Sequence, residues 1–142
     1  MKELSYEEYE LECKKREEEN EIYLQFFEDD LKEAGLSDKT IKNHYQNVEF
    51  YLNTYLLREE PKEMVEGCYG LEMYFGYFFI RKCMWSSSAT IKSTAASLKK
   101  FYKCMLKYHK IEEKDYKYLC FNIKESMEDW LRECQKYDEG LY

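Results

Sequence analysis

Pro61 is the one proline in this chain, and five glycines are the other points at which a regular element is obliged to stop. So little punctuation over 142 residues favours a few long helices over many short strands. From Tyr6 to Ala34 nothing interrupts the chain. Tyr9, Cys13, Tyr23, Phe26, Phe27, Leu31 and Ala34 recur there at helical spacing, mainly in the second half, around a solvated "KKREEENE". This segment is either one long helix or an acidic arm leading into a shorter one, with Gly35 as its C-terminal cap.

Beyond it the signals are sharper. Ser37 is an N-cap for a helix over about 38–57, whose stripe Ile41, Tyr45, Val48, Leu52 and Tyr55 advances by four, three, four and three. "REEPKEMVEG" reads as a loop with a turn of helix after Pro61. A third helix over about 69–83 is apolar on nearly every side, the mark of a buried element. Ser87 or Ser88 caps a fourth, running to about His109, with Ile91, Ala95, Leu98, Tyr102 and Met105 inward. The last runs from about Glu113 to Tyr137, with Tyr116, Leu119, Cys120, Ile123, Met127, Trp130, Leu131 and Cys134 inward. No strand pattern occurs. The expected class is all-α: a single-domain orthogonal bundle of four to five helices over residues 20–142, preceded by an acidic helical extension over residues 1–19.

Charge is the feature that points toward function. The formal net charge is -7, yet no Asp or Glu occurs between Met73 and Ile111. Residues 73–111 carry +8, whereas 1–34, 35–72 and 112–142 carry -8, -3 and -4. On the fourth helix Lys92, Lys99, Lys103, Lys107 and Lys110 share one face, with Ser93, Thr94, Ala96 and Ser97 as small residues beside them. A cationic face with small neighbours suits phosphate docking. Two plainer alternatives stand beside it: a solvated face of good helix formers, or a surface that meets the acidic N-terminal segment or an acidic partner.

The succession "YLQFFEDDLKEAGLSDKTIKNHYQNVEFYLNTYL", "YGLEMYFGYFF" and "SSSATIKSTAASLKKFYKCML" resembles the N-terminal, SAM-like core-binding domain of tyrosine recombinases (phage integrases). The matching positions are Gly35, Leu36, Ser37, Thr40, Ile41 and Tyr45, then Tyr74, Phe75, Thr90, Ile91, Ala96, Ser97, Leu98, Lys99, Phe101 and Tyr102, over about residues 20–108. The resemblance implies a helical bundle that clamps one side of duplex DNA through its second and fourth helices. It transfers DNA contacts to Lys42, Asn43 and Gln46, and to Lys92, Ser93, Ala96 and Lys99; the lysine stripe adds Lys103 and Lys107. Ser93 and Thr94 depart from the family, standing where arginines are frequent.

The family's catalytic domain has no counterpart. Strand transfer needs clustered arginines, a His and a Lys beside a nucleophilic Tyr, and this chain has four arginines in all, at 16, 58, 81 and 132. His44 and His109 have Asn47 and Glu112 where a His-x-x-Arg motif requires Arg. Tyr137 and Tyr142 near the C-terminus lack a phosphate clamp to lower an ordinary phenol pKa of about 10. The expectation is a non-catalytic DNA-binding accessory, regulator or remnant of recombination, acting alone, as a homo-oligomer or beside a recombinase. The alternative is a helical protein-interaction module. Scattered cysteines and two histidines give no metal-ligand spacing, and no cofactor motif occurs. Without a secretory signal or a membrane-length apolar run, the six cysteines read as reduced thiols of a cytoplasmic protein.

Overall fold

The computed structural model describes residues 3–140, which form six α-helices and no strand. They fall into two compact units that divide between Gly67 and Cys68. The expected all-α bundle is present, but as two clusters rather than one.

In the first unit, α1 spans Tyr6–Glu33, opened by a capping box in which Ser5 and Glu8 each bond the other's backbone N–H at 3.2 Å. It passes residues 19 and 20 without a break, so the expected limit of an N-terminal extension lies inside one helix. Its buried stripe is Arg16, Asn20, Leu24, Phe27 and Leu31, polar at one end and apolar at the other. Tyr23 and Phe26 are only half-buried, and Ala34 is exposed. Gly35 ends the helix at φ 80°, with its N–H on the Lys32 carbonyl and the Leu36 N–H on the Leu31 carbonyl, a Schellman closure. Ser37 then caps α2 (Asp38–Glu49), which widens into a π-helical turn over Phe50–Tyr55.

The polar end of the α1 stripe finds most of its partners within the same unit, although the Arg16 Nε is buried without one. Asn20 donates to the Asn53 side chain at 2.8 Å, and the Tyr9 hydroxyl donates to the Leu57 carbonyl. Arg16 reaches Glu63 at 2.7 Å and Glu19 at 3.1 Å. Burial alone would push its guanidinium down, but the bond to Glu63 and the charges of Glu19, Glu63 and Glu12 outweigh that and hold it above its usual value.

A 3-10 helix, Met64–Tyr69, leads into the second unit. There α3 (Leu71–Met73), a π-helical turn (Tyr74–Phe78) and α4 (Phe79–Lys82) follow without interruption. The extra residue of the wide turn explains the burial pattern: Tyr74 and Phe75 are buried, and so are Phe79 and Ile80, five positions on rather than four. Contrary to the expected all-round burial, Met73 and Tyr77 lie on an exposed edge. α5 (Ser88–Lys107) and α6 (Glu113–Asp138) pack along each other. Trp130 of α6 is buried against Phe75, with ring centroids 5.1 Å apart. Asp115 ties the start of α6 to the 3-10 helix: it accepts from the Glu112 N–H at 2.9 Å and from the Tyr69 hydroxyl at 2.5 Å. The bond to Asp115 foremost, then burial and the nearby negative charges, push the Tyr69 phenol up to about 12. No described helix is long and apolar enough to cross a membrane, and all six cysteines are free thiols.

Two glycines separate backbone need from packing. Gly35 requires a left-handed φ, so Gly35→Ala is expected to lower stability by about 1 kcal/mol in urea unfolding. At Gly76 an added Cβ meets Trp130 at 3.6 Å, an ordinary contact, and Gly76→Ala should leave stability unchanged or raise it by about 0.5 kcal/mol.

Candidate nucleic-acid interface

The face of α5 that solvent sees is determined by the face it buries. Ser87 opens the helix, accepting the Thr90 N–H at 3.1 Å while Thr90 accepts the Ser87 N–H at 2.8 Å. Ile91, Thr94, Ala95, Ser97, Leu98, Phe101, Tyr102, Cys104 and Met105 are then buried. Of the small residues expected beside the lysines, only Ser93 and Ala96 are exposed, and Thr94 and Ser97 belong to the core. Ser97 satisfies its buried hydroxyl by donating to the Ser93 carbonyl at 3.1 Å.

Opposite that face, Lys92, Ser93, Ala96, Lys99, Lys103 and Lys107 are all exposed, as is Lys100. At 1.5 Å per residue, the line from Lys92 to Lys107 is about 22 Å long. Among the described residues Lys92, Lys99, Lys100 and Lys103 enter no ion pair. Elsewhere basic side chains do find carboxylates: Lys117 pairs with Glu113 at 3.1 Å, Arg132 with Asp129 at 2.9 Å and Lys114 with Glu112 at 3.3 Å. Exposed pairs of that kind contribute little stability, but they cancel field. Those four α5 lysines keep theirs.

The α2 candidates stand in different surroundings. Lys42, Asn43 and Gln46 are exposed, but Lys42 and Gln46 line an open cleft together with Glu28, Asp38 and Glu49. The cleft's Tyr45 registers the sign of that field. Its phenol is pushed up by burial first and then by the negative charges of Glu49, Glu28 and Glu21. A phosphate would meet an attractive surface on α5 and a mixed one on α2.

Each arginine is engaged with a neighbour in its own unit. Arg16 is buried among carboxylates, Arg58 stacks on Tyr55 at 3.9 Å, Arg81 lies over Tyr77 at 4.4 Å, and Arg132 bonds Asp129. Tyr137 lies on α6 with the Arg81 guanidinium 5.6 Å from its ring, and Tyr142 is outside the described residues. Sequence reasoning passed over Lys100, which widens the cationic face. Its position next to Lys99 was the available signal.

No family model, curated protein or solved structure matches the chain.

Because Lys92, Lys99 and Lys103 are exposed and enter no ion pair among the described residues, reversing them should leave the fold intact. Lys92→Glu/Lys99→Glu/Lys103→Glu is expected to melt within about 3 °C of the wild type, followed by far-ultraviolet circular dichroism. A loss of cooperative melting would mean that these side chains support the bundle.

Proposed function

We propose that this chain is a non-catalytic duplex-DNA-binding module built like a recombinase core-binding domain, serving as an accessory or regulator of site-specific recombination in the cytoplasm. The observation that carries the reading is the set of exposed lysines on α5, Lys92, Lys99, Lys100 and Lys103, that enter no ion pair among the described residues. Its lysines neutralise phosphates, and Ser93 and Ala96 between them allow close approach of the helix. Lys42, Asn43 and Gln46 make a weaker second contact, since Glu28 and Glu49 share the cleft that Lys42 and Gln46 line. The engaged state of the arginines supports binding without strand transfer, which depends on guanidinium groups converging on one phosphate.

Fluorescence anisotropy with a labelled random-sequence duplex across a salt series tests this directly. With about four or five phosphates neutralised, log affinity should fall against log salt with a slope near -4. Lys92→Glu/Lys99→Glu/Lys103→Glu should abolish binding, whereas Lys42→Glu should weaken it and reduce the slope by about 1. Absence of wild-type binding at low salt would overturn the reading. A homodimer disrupted by the triple variant, without DNA binding, would mark the lysine face as a protein-interaction surface instead.

A further inference from the structure

Between α4 and α5, Met84 is 100% exposed and Trp85 53% exposed, one after the other at the end of α5 from which its lysine row starts. The loop that presents them is fastened on both sides. Cys83 is buried, and its N–H closes α4 on the Phe79 carbonyl at 3.2 Å. The Ser86 N–H returns to the Cys83 carbonyl at 3.2 Å, and the Ser86 hydroxyl donates to the Ile80 carbonyl at 3.2 Å. From the α5 side, the Thr90 hydroxyl donates to the Trp85 carbonyl at 2.9 Å. Trp85 also sets its ring edge-on to Phe79, at 6.4 Å and 87°. Met84 thus projects from a tight turn whose neighbours are held.

We infer that the Met84–Trp85 tip is a wedge that enters a groove of the bound duplex and presses on a base step while the α5 lysines hold the flanking phosphates. This rests on the reading of α5 as a DNA face. An apolar tip amid cations, in a stretch from Met73 to Ile111 that holds no carboxylate, fits a partner whose anionic exterior encloses an apolar interior. Duplex DNA has that construction, with phosphates outside and stacked bases within. Methionine is among the side chains that unstack base steps when inserted, and pyrimidine–purine steps yield most readily. An anionic lipid surface has related chemistry, but it would call for cations ringing the tip at headgroup level and for more apolar surface than two side chains supply. Here Arg81 and Lys82 precede the tip on one side only, and the other cations run away from it along the α5 axis, the layout of a long polyanion.

The test uses the full chain, a short duplex with 2-aminopurine in its TA steps, and vesicles of phosphatidylcholine with phosphatidylserine. Wild type should bind the duplex with the steep salt slope and raise 2-aminopurine fluorescence as the step opens. Met84→Ala removes a side chain that touches nothing in the fold. It should lose that rise and weaken binding by about three- to tenfold, with the salt slope unchanged because the phosphate contacts remain. Trp85→Ala, checked by circular dichroism for an intact fold, should behave alike. Duplex binding without a fluorescence rise, or with affinity unaffected by Met84→Ala, would overturn the wedge and leave the lysine face standing. If wild type binds no duplex, both readings fall, and vesicle binding with a blue shift of tryptophan emission would identify lipid as the partner.

Discussion

Burial of nine residues on one side of α5 determines which way its lysines point. Ile91, Ala95, Leu98, Tyr102 and Met105 form the expected apolar line, and Thr94, Ser97, Phe101 and Cys104 widen it toward one flank. A helix held over so wide a face has little rotational freedom, because a turn of one residue would put a lysine into the core. Burying an unpaired ammonium costs far more than any surface contact returns. The cationic face is therefore a by-product of core packing in geometry, though its lack of carboxylates is not. Packing against α6 asks nothing of the solvent side, where the mixture of signs found on α6 would serve solubility equally well.

The first unit shows the converse arrangement, a charge drawn inward. Arg16 continues the stripe that Leu24, Phe27 and Leu31 begin, and it brings its own counter-charges from Glu12, Glu19 and Glu63. Those carboxylates remain partly in water, so the group is less costly than a fully enclosed ion pair, while the stem of Arg16 still covers apolar surface. Replacing it by a large apolar side chain would retain packing and lose the polar link to the loop that carries Glu63. This is why α1 stays one helix past residue 20, although its apolar periodicity fades there.

That fading marks the limit of what the sequence discloses. Periodicity and caps revealed α2 together with its π-helical turn, α5 and α6 to within a few residues, because Ser37 and Ser87 are strong N-caps and the stripes behind them are apolar. Gly35 was readable as a helix end for a backbone reason, its left-handed φ. Arg16 and Asn20 were not readable as interior residues: their partners Glu63 and Asn53 are distant in sequence, and a polar residue on a stripe signals an end unless its partner is known. The π-helical turn at Tyr74–Phe78 was hidden likewise, since one extra residue shifts the register of every apolar position after it. Of the candidate site, exposure of Lys92, Ser93, Ala96, Lys99, Lys103 and Lys107 agreed with the pattern. Thr94 and Ser97 did not, because small hydroxyl residues at a stripe's margin suit a tight helix contact as well as a solvated surface.

The acidic total and the cationic helix are compatible because electrostatics in salt is local. At 0.1 M ionic strength the screening length is about 10 Å, greater than the ~6 Å rise between lysines four residues apart on one helix. Lys99, Lys103 and Lys107 would therefore act together on any phosphate chain that α5 meets. Carboxylates more than a screening length away subtract little from that attraction once contact is made. What they change is encounter: a chain of net charge -7 is repelled by a polyanion at long range, which discourages contact through any other surface. Such a layout would trade non-specific affinity for orientation, and it would favour contact through α5, the one long helix whose solvent face carries no negative charge.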